Sequence, residues 1–159
     1  MAEDLNIVLS NNKSDQYRSL LPQIQELLAG ETDLVANLAN VCAALREQFN
    51  WFWIGFYVVK GDELVLGPFQ GPVACTRIGF GKGVCGVAWK QAATLIIDNV
   101  DEFPGHIACS SLSRSEIVVP VLQDGKVIAV LDVDSEKLSY FDETDAEYLL
   151  KIITLVNFA

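Results

Sequence analysis

Apolar residues recur at three- and four-residue steps through Leu34, Val35, Leu38, Val41, Cys42 and Leu45, a stripe that predicts a helix over 32–47. Thr32 stands in the cap position, and Gly30 ends the segment before it. Residues 15–29 carry the same period through Leu20, Ile24, Leu27 and Leu28; Pro22 is expected to kink that helix or restart it at a first-turn position. From Trp51 to Val59 the chain is aromatic and β-branched, and Lys60-Gly61-Asp62 turns it into a second strand around Leu64-Val65-Leu66. Alternation along the first of these strands puts Trp53, Gly55 and Tyr57 on one face. A short helix is expected over 84–92, opening at Gly83, with a strand at 94–97. Two further strands, 115–122 and 127–134, flank Asp124-Gly125. Asp142, Glu143 and Asp145 then start a helix that buries Ala146, Leu149, Leu150, Ile153 and Val156. The longest stretches read as irregular are 67–83 and 98–114, and long loops inside a compact domain are often functional.

Helices at both ends of an antiparallel sheet define an α+β fold. The 159 residues contain no repeat and no linker-like stretch, so one domain over 1–159 is expected, with 1–13 as a flexible or docking extension. Its balance of 11 basic against 21 acidic residues gives a net charge of −10, which repels nucleic acids and anionic membranes. No apolar run approaches the roughly 18 residues of a membrane span. The acidic start Met1-Ala2-Glu3-Asp4 does not read as a secretory signal, so a cytoplasmic protein is expected.

In a reducing compartment the four cysteines point to transient, catalytic or metal-binding use more than to a structural disulfide framework. Cys42 lies on a helix stripe and reads as a small core residue. Cys75, Cys85 and Cys109 lie in or beside the two long loops, next to glycines, where thiol chemistry competes with simple burial. The single histidine, His106, excludes Cys2His2 zinc sites, two-histidine iron sites and the HExxH protease motif. A Cys3His zinc set remains arithmetically open, as does Cys-His nucleophilic catalysis, but His106 reads first as a loop residue bonded to backbone. Gly81-Lys82-Gly83-Val84-Cys85-Gly86 matches G-x-G-x-x-G, although the hairpins that follow supply no βαβ unit for a dinucleotide. What the glycines do imply is a close-packed turn that delivers Cys85 to a helix amino terminus, a place that favours a thiolate.

Asp132 and Asp134 share a strand face with Ile128 and Val130, their Cα atoms about 7 Å apart. Exposure at a sheet edge would be the ordinary fate of such a pair. Whether Glu116 joins them depends on the hairpin's loop parity. A two-residue turn puts Glu116 opposite Val133, facing away. A three-residue loop, Gln123-Asp124-Gly125, puts it opposite Asp132, and this second form is expected.

The segments GPFQGPVACTRIGFGKGVCG (67–86), FPGHIACSSLSRSEIVVP (103–120) and VLDVDS (130–135), with WFWIGFY (51–57) and ANLANVCAAL (36–45), resemble the free methionine (R)-sulfoxide reductases, stand-alone GAF-domain enzymes. The resemblance covers nearly the whole chain beyond its first dozen residues. It implies a GAF fold, an antiparallel sheet with helices on both sides, as a homodimer. By position it makes Cys109 the nucleophile, Cys75 the resolving partner and Cys85 an additional thiol. It places Glu116, Asp132 and Asp134 around the substrate and makes Trp53 and Tyr57 the pocket wall. It further implies no metal or bound cofactor, with thioredoxin as external reductant. Ser110 and Leu112 depart from the family, which more often shows Asp and Ala there, so the shape of that loop is left open. A GAF module that senses a small ligand without turning it over is the alternative.

Overall fold

A computed structural model describes residues 4–159. Two helices open the fold, α1 (Lys13–Leu28) and α2 (Leu34–Phe49), followed by strands β1 (Trp53–Lys60), β2 (Glu63–Gln70) and β3 (Arg77–Gly79). Helix α3 (Gly83–Gln91), strand β4 (Leu95–Ile97) and a single 3-10 turn at Val100–Glu102 lead into β5 (Ser115–Gln123), β6 (Lys126–Ser135) and the closing helix α4 (Glu143–Thr154). The strands form one antiparallel sheet in the order β3-β2-β1-β6-β5-β4. The molecule is therefore α+β, as its pattern predicts. No helix among the described residues is long and apolar enough to cross a membrane.

Alternation divides the sheet into two faces with separate cores. On one face Ile54, Phe56, Ile117, Val119, Leu131 and Val133 pack under α1, α2 and α4. On the other, Trp53, Tyr57, Leu64, Val118 and Val130 pack under α3, which contributes Val84, Cys85 and Ala88. Three helices cover the first face and a single short one the second, so part of the second face is left to loops.

Local chemistry accounts for the ends of these elements. The Asn12 side chain caps α1, and Asp33, rather than Thr32, caps α2 by accepting from the Ala36 amide. Pro22 lies inside α1 without ending it. Asp142 and Asp145 form a reciprocal capping box at α4. Asp145 is fully buried, and its carboxylate also accepts from the Tyr17 hydroxyl at 2.6 Å and the Lys13 ammonium at 2.5 Å, which ties α4 to α1. Ahead of α1, Asn6 and Val8 exchange hydrogen bonds with the side chains of Gln23 and Gln48, so this stretch lies along both helices.

Two readings of the sequence need correction here. The stretch 67–83 is not one loop, because β2 runs to Gln70 and Arg77–Gly79 adds a short edge strand. The β5–β6 hairpin turns on two residues, with Asp124 and Gly125 at φ of 52° and 77° and Gln123 paired with Lys126. A bulge then shifts the register between Val121 and Leu122, where the extra residue is Ile128 on β6. Parity is restored by the bulge and not by a longer loop, so Glu116 pairs with Asp134, and Val118 pairs with Asp132. Glu116 still shares the face of both aspartates.

Candidate active site

The partly covered second face opens into a cavity whose wall includes Trp53, Tyr57, Cys85, His106, Cys109, Glu116, Asp132 and Asp134. Its volume of about 50 Å³ is several times the roughly 10–15 Å³ that one water needs, which suits a small ligand.

Cys75 and Cys109 are joined by a disulfide, with their Cα atoms 5.5 Å apart across 34 residues of sequence. They come from the two long loops, and the bridge ties those loops together beside the cavity. Cys109 borders the cavity, and Cys75, partly buried against the second core, is not among its lining residues. Two aromatic side chains hold the Cys75 loop to the sheet. The Tyr57 hydroxyl donates to the Cys75 carbonyl at 2.8 Å, and the Trp53 indole N–H donates to the Pro72 carbonyl at 3.0 Å. Gly55 is what lets Trp53 lie flat, since a Cβ there would sit 2.4 Å from the indole.

Adjacent central strands bring the acids of the floor together. Glu116 and Asp132 are buried, at 6% and 7% exposure, and Asp134 is partly covered at the end of β6. Burial is the first cause that raises all three carboxyl pKa values, and the charge of Asp132 adds to it at Glu116 and Asp134. Asp132 differs from the others in that no neighbouring carboxylate charge adds to its rise. Its Oδ1 is buried with no hydrogen-bond partner.

Cys85 lies in the first turn of α3, as expected, but the expected thiolate does not follow. Its thiol is buried and donates to Glu116 Oε1 at 3.9 Å; burial and the neighbouring carboxylates push its pKa well above the usual thiol range. Desolvation and like charge outweigh the helix dipole at this position. Cys42 is buried on α2 against the other core.

His106 lies in the loop as expected, its backbone N–H donating to the Phe103 carbonyl at 3.1 Å. Its side chain, in addition, lines the cavity, with Nε2 4.0 Å from Glu116 Oε2. Burial lowers its pKa, with Asp101 opposing, and burial raises that of Glu116, so both shifts favour the neutral form. Phe52, Ile78 and Ile107 also line the wall, and as unremarkable apolar residues they give no signal in the sequence. The glycine motif binds no dinucleotide fold, because the sheet is antiparallel throughout. Its glycines serve packing: a Cβ on Gly86 would lie 2.4 Å from the Gly79 carbonyl.

An antiparallel sheet with a loop-roofed pocket on one face and helices α1, α2 and α4 on the other is the architecture of a GAF domain, and the GAF-domain family matches residues 31–159. The chain belongs to that family. Within it the chain is 40% identical over 165 residues to the free methionine-R-sulfoxide reductase of Saccharomyces cerevisiae, covering 98% of this chain and 92% of the relative. It is 61% identical to GAF domain-containing protein A of Dictyostelium discoideum, over 99% of both chains. The structure of free methionine-R-sulfoxide reductase from Neisseria meningitidis, in complex with its substrate, superposes with a TM-score of 0.94 at 57% identity, covering 98% of this chain and 93% of that one. The chain is thus a member of the free methionine-R-sulfoxide reductase family of GAF proteins.

Proposed function

We propose that this protein reduces free methionine (R)-sulfoxide to methionine. The observation that carries the reading is the Cys75–Cys109 bridge beside a cavity floored by Glu116, Asp132 and Asp134. A sulfoxide needs a thiolate at sulfur and a proton at oxygen, and here both groups flank one small space.

Cys109 borders the cavity and is assigned as nucleophile; Cys75, outside the lining, is assigned as the resolving thiol. The Cys109 thiolate attacks the sulfoxide sulfur while a carboxyl of the floor protonates the oxygen. Methionine leaves, and Cys109 remains as the sulfenic acid. Cys75 condenses with it, releasing water and forming the disulfide. An external dithiol of the thioredoxin type then reduces the bridge. Glu116 is assigned as proton donor, because burial and its neighbours favour its neutral form. Asp132 is the anion that faces the substrate ammonium, a charge that a methionine inside a polypeptide lacks. Trp53 and Tyr57 enclose the methyl-sulfur end, where sulfur-aromatic contact is favourable. No metal or prosthetic group enters these steps. The wider reading is of a cytoplasmic homodimer, and light scattering tests the dimer.

The test is NADPH consumption with thioredoxin and its reductase, comparing free methionine (R)-sulfoxide, the S epimer and an N-acetylated form, with Cys109→Ser as control. Turnover confined to the free R epimer and lost in the variant is expected. Absence of turnover with all three would overturn the reading in favour of a ligand-sensing GAF module.

A further inference from the structure

Cys85, Glu116 and Asp132 present ligand atoms that all lie within 4.8 Å of one another, and all three residues are buried. We propose that this cluster binds a divalent transition-metal ion of the zinc type, which shuts the pocket by occupying the place of a cationic substrate group. The competition clause rests on the reductase reading; the binding site does not.

The donor set has the chemistry of such an ion. Zinc takes thiolate at about 2.3 Å and carboxylate oxygen at about 2.0–2.2 Å, so sulfur and oxygen on one tetrahedral ion stand roughly 3.5 Å apart. Cys85 Sγ and Glu116 Oε1 are 3.9 Å apart, which leaves a few tenths of an ångström of closure. A thiolate ligand selects zinc over magnesium or calcium, which take oxygen.

A separate observation points to a missing partner. Asp132 is 7% exposed, lines the cavity, and keeps Oδ1 without any hydrogen bond. A buried acceptor of that kind is rare in a folded protein, and a cation in the cavity would satisfy it. The frame is also fixed. Glu116 and Asp132 sit on the paired strands β5 and β6, and Cys85 is held in the first turn of α3, where Gly86 packs against Gly79. His106, with Nε2 4.0 Å from the second Glu116 oxygen, offers a fourth donor from a loop; water from the cavity is the other source. Ligation replaces the Cys85 S–H by an S–zinc bond and sends that proton to solvent, together with any proton held by the two carboxyls. There is no change in oxidation state.

The test uses the full chain with Cys75 and Cys109 oxidised, so that neither can ligate. Zinc chloride is titrated calorimetrically in two buffers of different ionisation enthalpy, and Co²⁺ is added separately to read thiolate-to-cobalt absorption. About one equivalent of zinc bound with proton release, and a sulfur-to-cobalt band, are expected. Cys85→Ser should abolish the band and weaken zinc binding by more than ~100-fold, as should Asp132→Asn, whereas Cys42→Ser should change neither. A circular dichroism melt checks that each variant is folded, and Glu116→Gln serves as the third ligand variant should either fail. No saturable binding, or binding indifferent to Cys85→Ser, would overturn the site. In the reduced enzyme, zinc should raise the KM for free methionine (R)-sulfoxide and leave kcat unchanged; bound zinc without that rise would overturn the competition alone. A protein that binds zinc but reduces no sulfoxide would support the site and count against the reductase reading.

Discussion

The Tyr57 hydroxyl donates to the backbone carbonyl of Cys75 at 2.8 Å, so a side chain of the central sheet holds the loop that carries one half of the disulfide. The tether acts on the resolving step. Tyr57→Phe keeps the ring and loses this hydrogen bond, which is worth about 0.5–1.5 kcal/mol, so closure of the Cys75–Cys109 bridge should slow by up to ~10-fold. Formation of the sulfenic acid on Cys109 should change less. Rapid quench with thiol-specific mass labelling separates the two steps, and equal slowing of both would show that Tyr57 acts on the substrate itself.

The acid cluster makes stability depend on pH. Glu116, Asp132 and Asp134 all have folded-state pKa values raised above their unfolded values of about 3.9 for Asp and 4.3 for Glu. The native state therefore holds protons that the unfolded chain has already released, and stability falls as pH rises through the folded values. Below the unfolded values the groups exert no such drag. Glu116→Gln removes one contributor, so its Tm should exceed that of the parent at pH 8 and converge with it at pH 4, while sulfoxide reduction collapses. A Tm difference independent of pH would contradict this account.

Gly86 tests how α3 is seated. A methyl group there would lie 2.4 Å from the Gly79 carbonyl oxygen, which is backbone and cannot swing aside. Gly86→Ala should cost about 1–3 kcal/mol and displace Cys85 from Glu116. Urea denaturation gives the first quantity, and the rate of Cys85 labelling by a small alkylating reagent gives the second.

Asp145 is the joint between the first helix and the last. Its fully buried carboxylate meets Lys13, Tyr17 and the Asp142 amide at once. Asp145→Asn leaves the Lys13 ammonium, 23% exposed, with only the Asp142 carboxylate 3.5 Å away, so the loss should fall below the ~3–5 kcal/mol seen when a buried charge is left with no partner. Since this joint lies on the face away from the cavity, kcat at 25 °C should be preserved, with the loss confined to the unfolding curve.

The acid floor was legible in the sequence because a strand has a period of two, which puts Asp132 and Asp134 on one face whatever the fold. The partner of Glu116 was not legible, because the bulge at Ile128 adds its residue inside the strand, where no glycine marks it. Strand β3 was missed for want of length: three residues with one buried side chain, Ile78, show no alternation. The cap of α2 fell on Asp33 rather than Thr32, a difference of one residue between two good capping types. The tethers from Trp53 and Tyr57 end on carbonyls of a loop, and any residue at positions 72 and 75 presents a carbonyl. The raised thiol of Cys85 depended on which carboxylates lie across from it, which is tertiary information.

The two outermost strands, β3 and β4, are only three residues long. An exposed strand edge is the usual template on which a second chain adds by backbone pairing, and very short edges are one way natural sheets refuse such growth. Here β3 pairs with Glu63–Val65 of β2 and β4 with Glu116–Val118 of β5, and each ends after one short row of amides. At β3 and β4 themselves, copies of this protein have little to gain by continuing one another's sheet. On the proposed cycle, in which a bond between two loops repeatedly opens and closes, those short borders limit capture of the opened molecule into a growing β-aggregate.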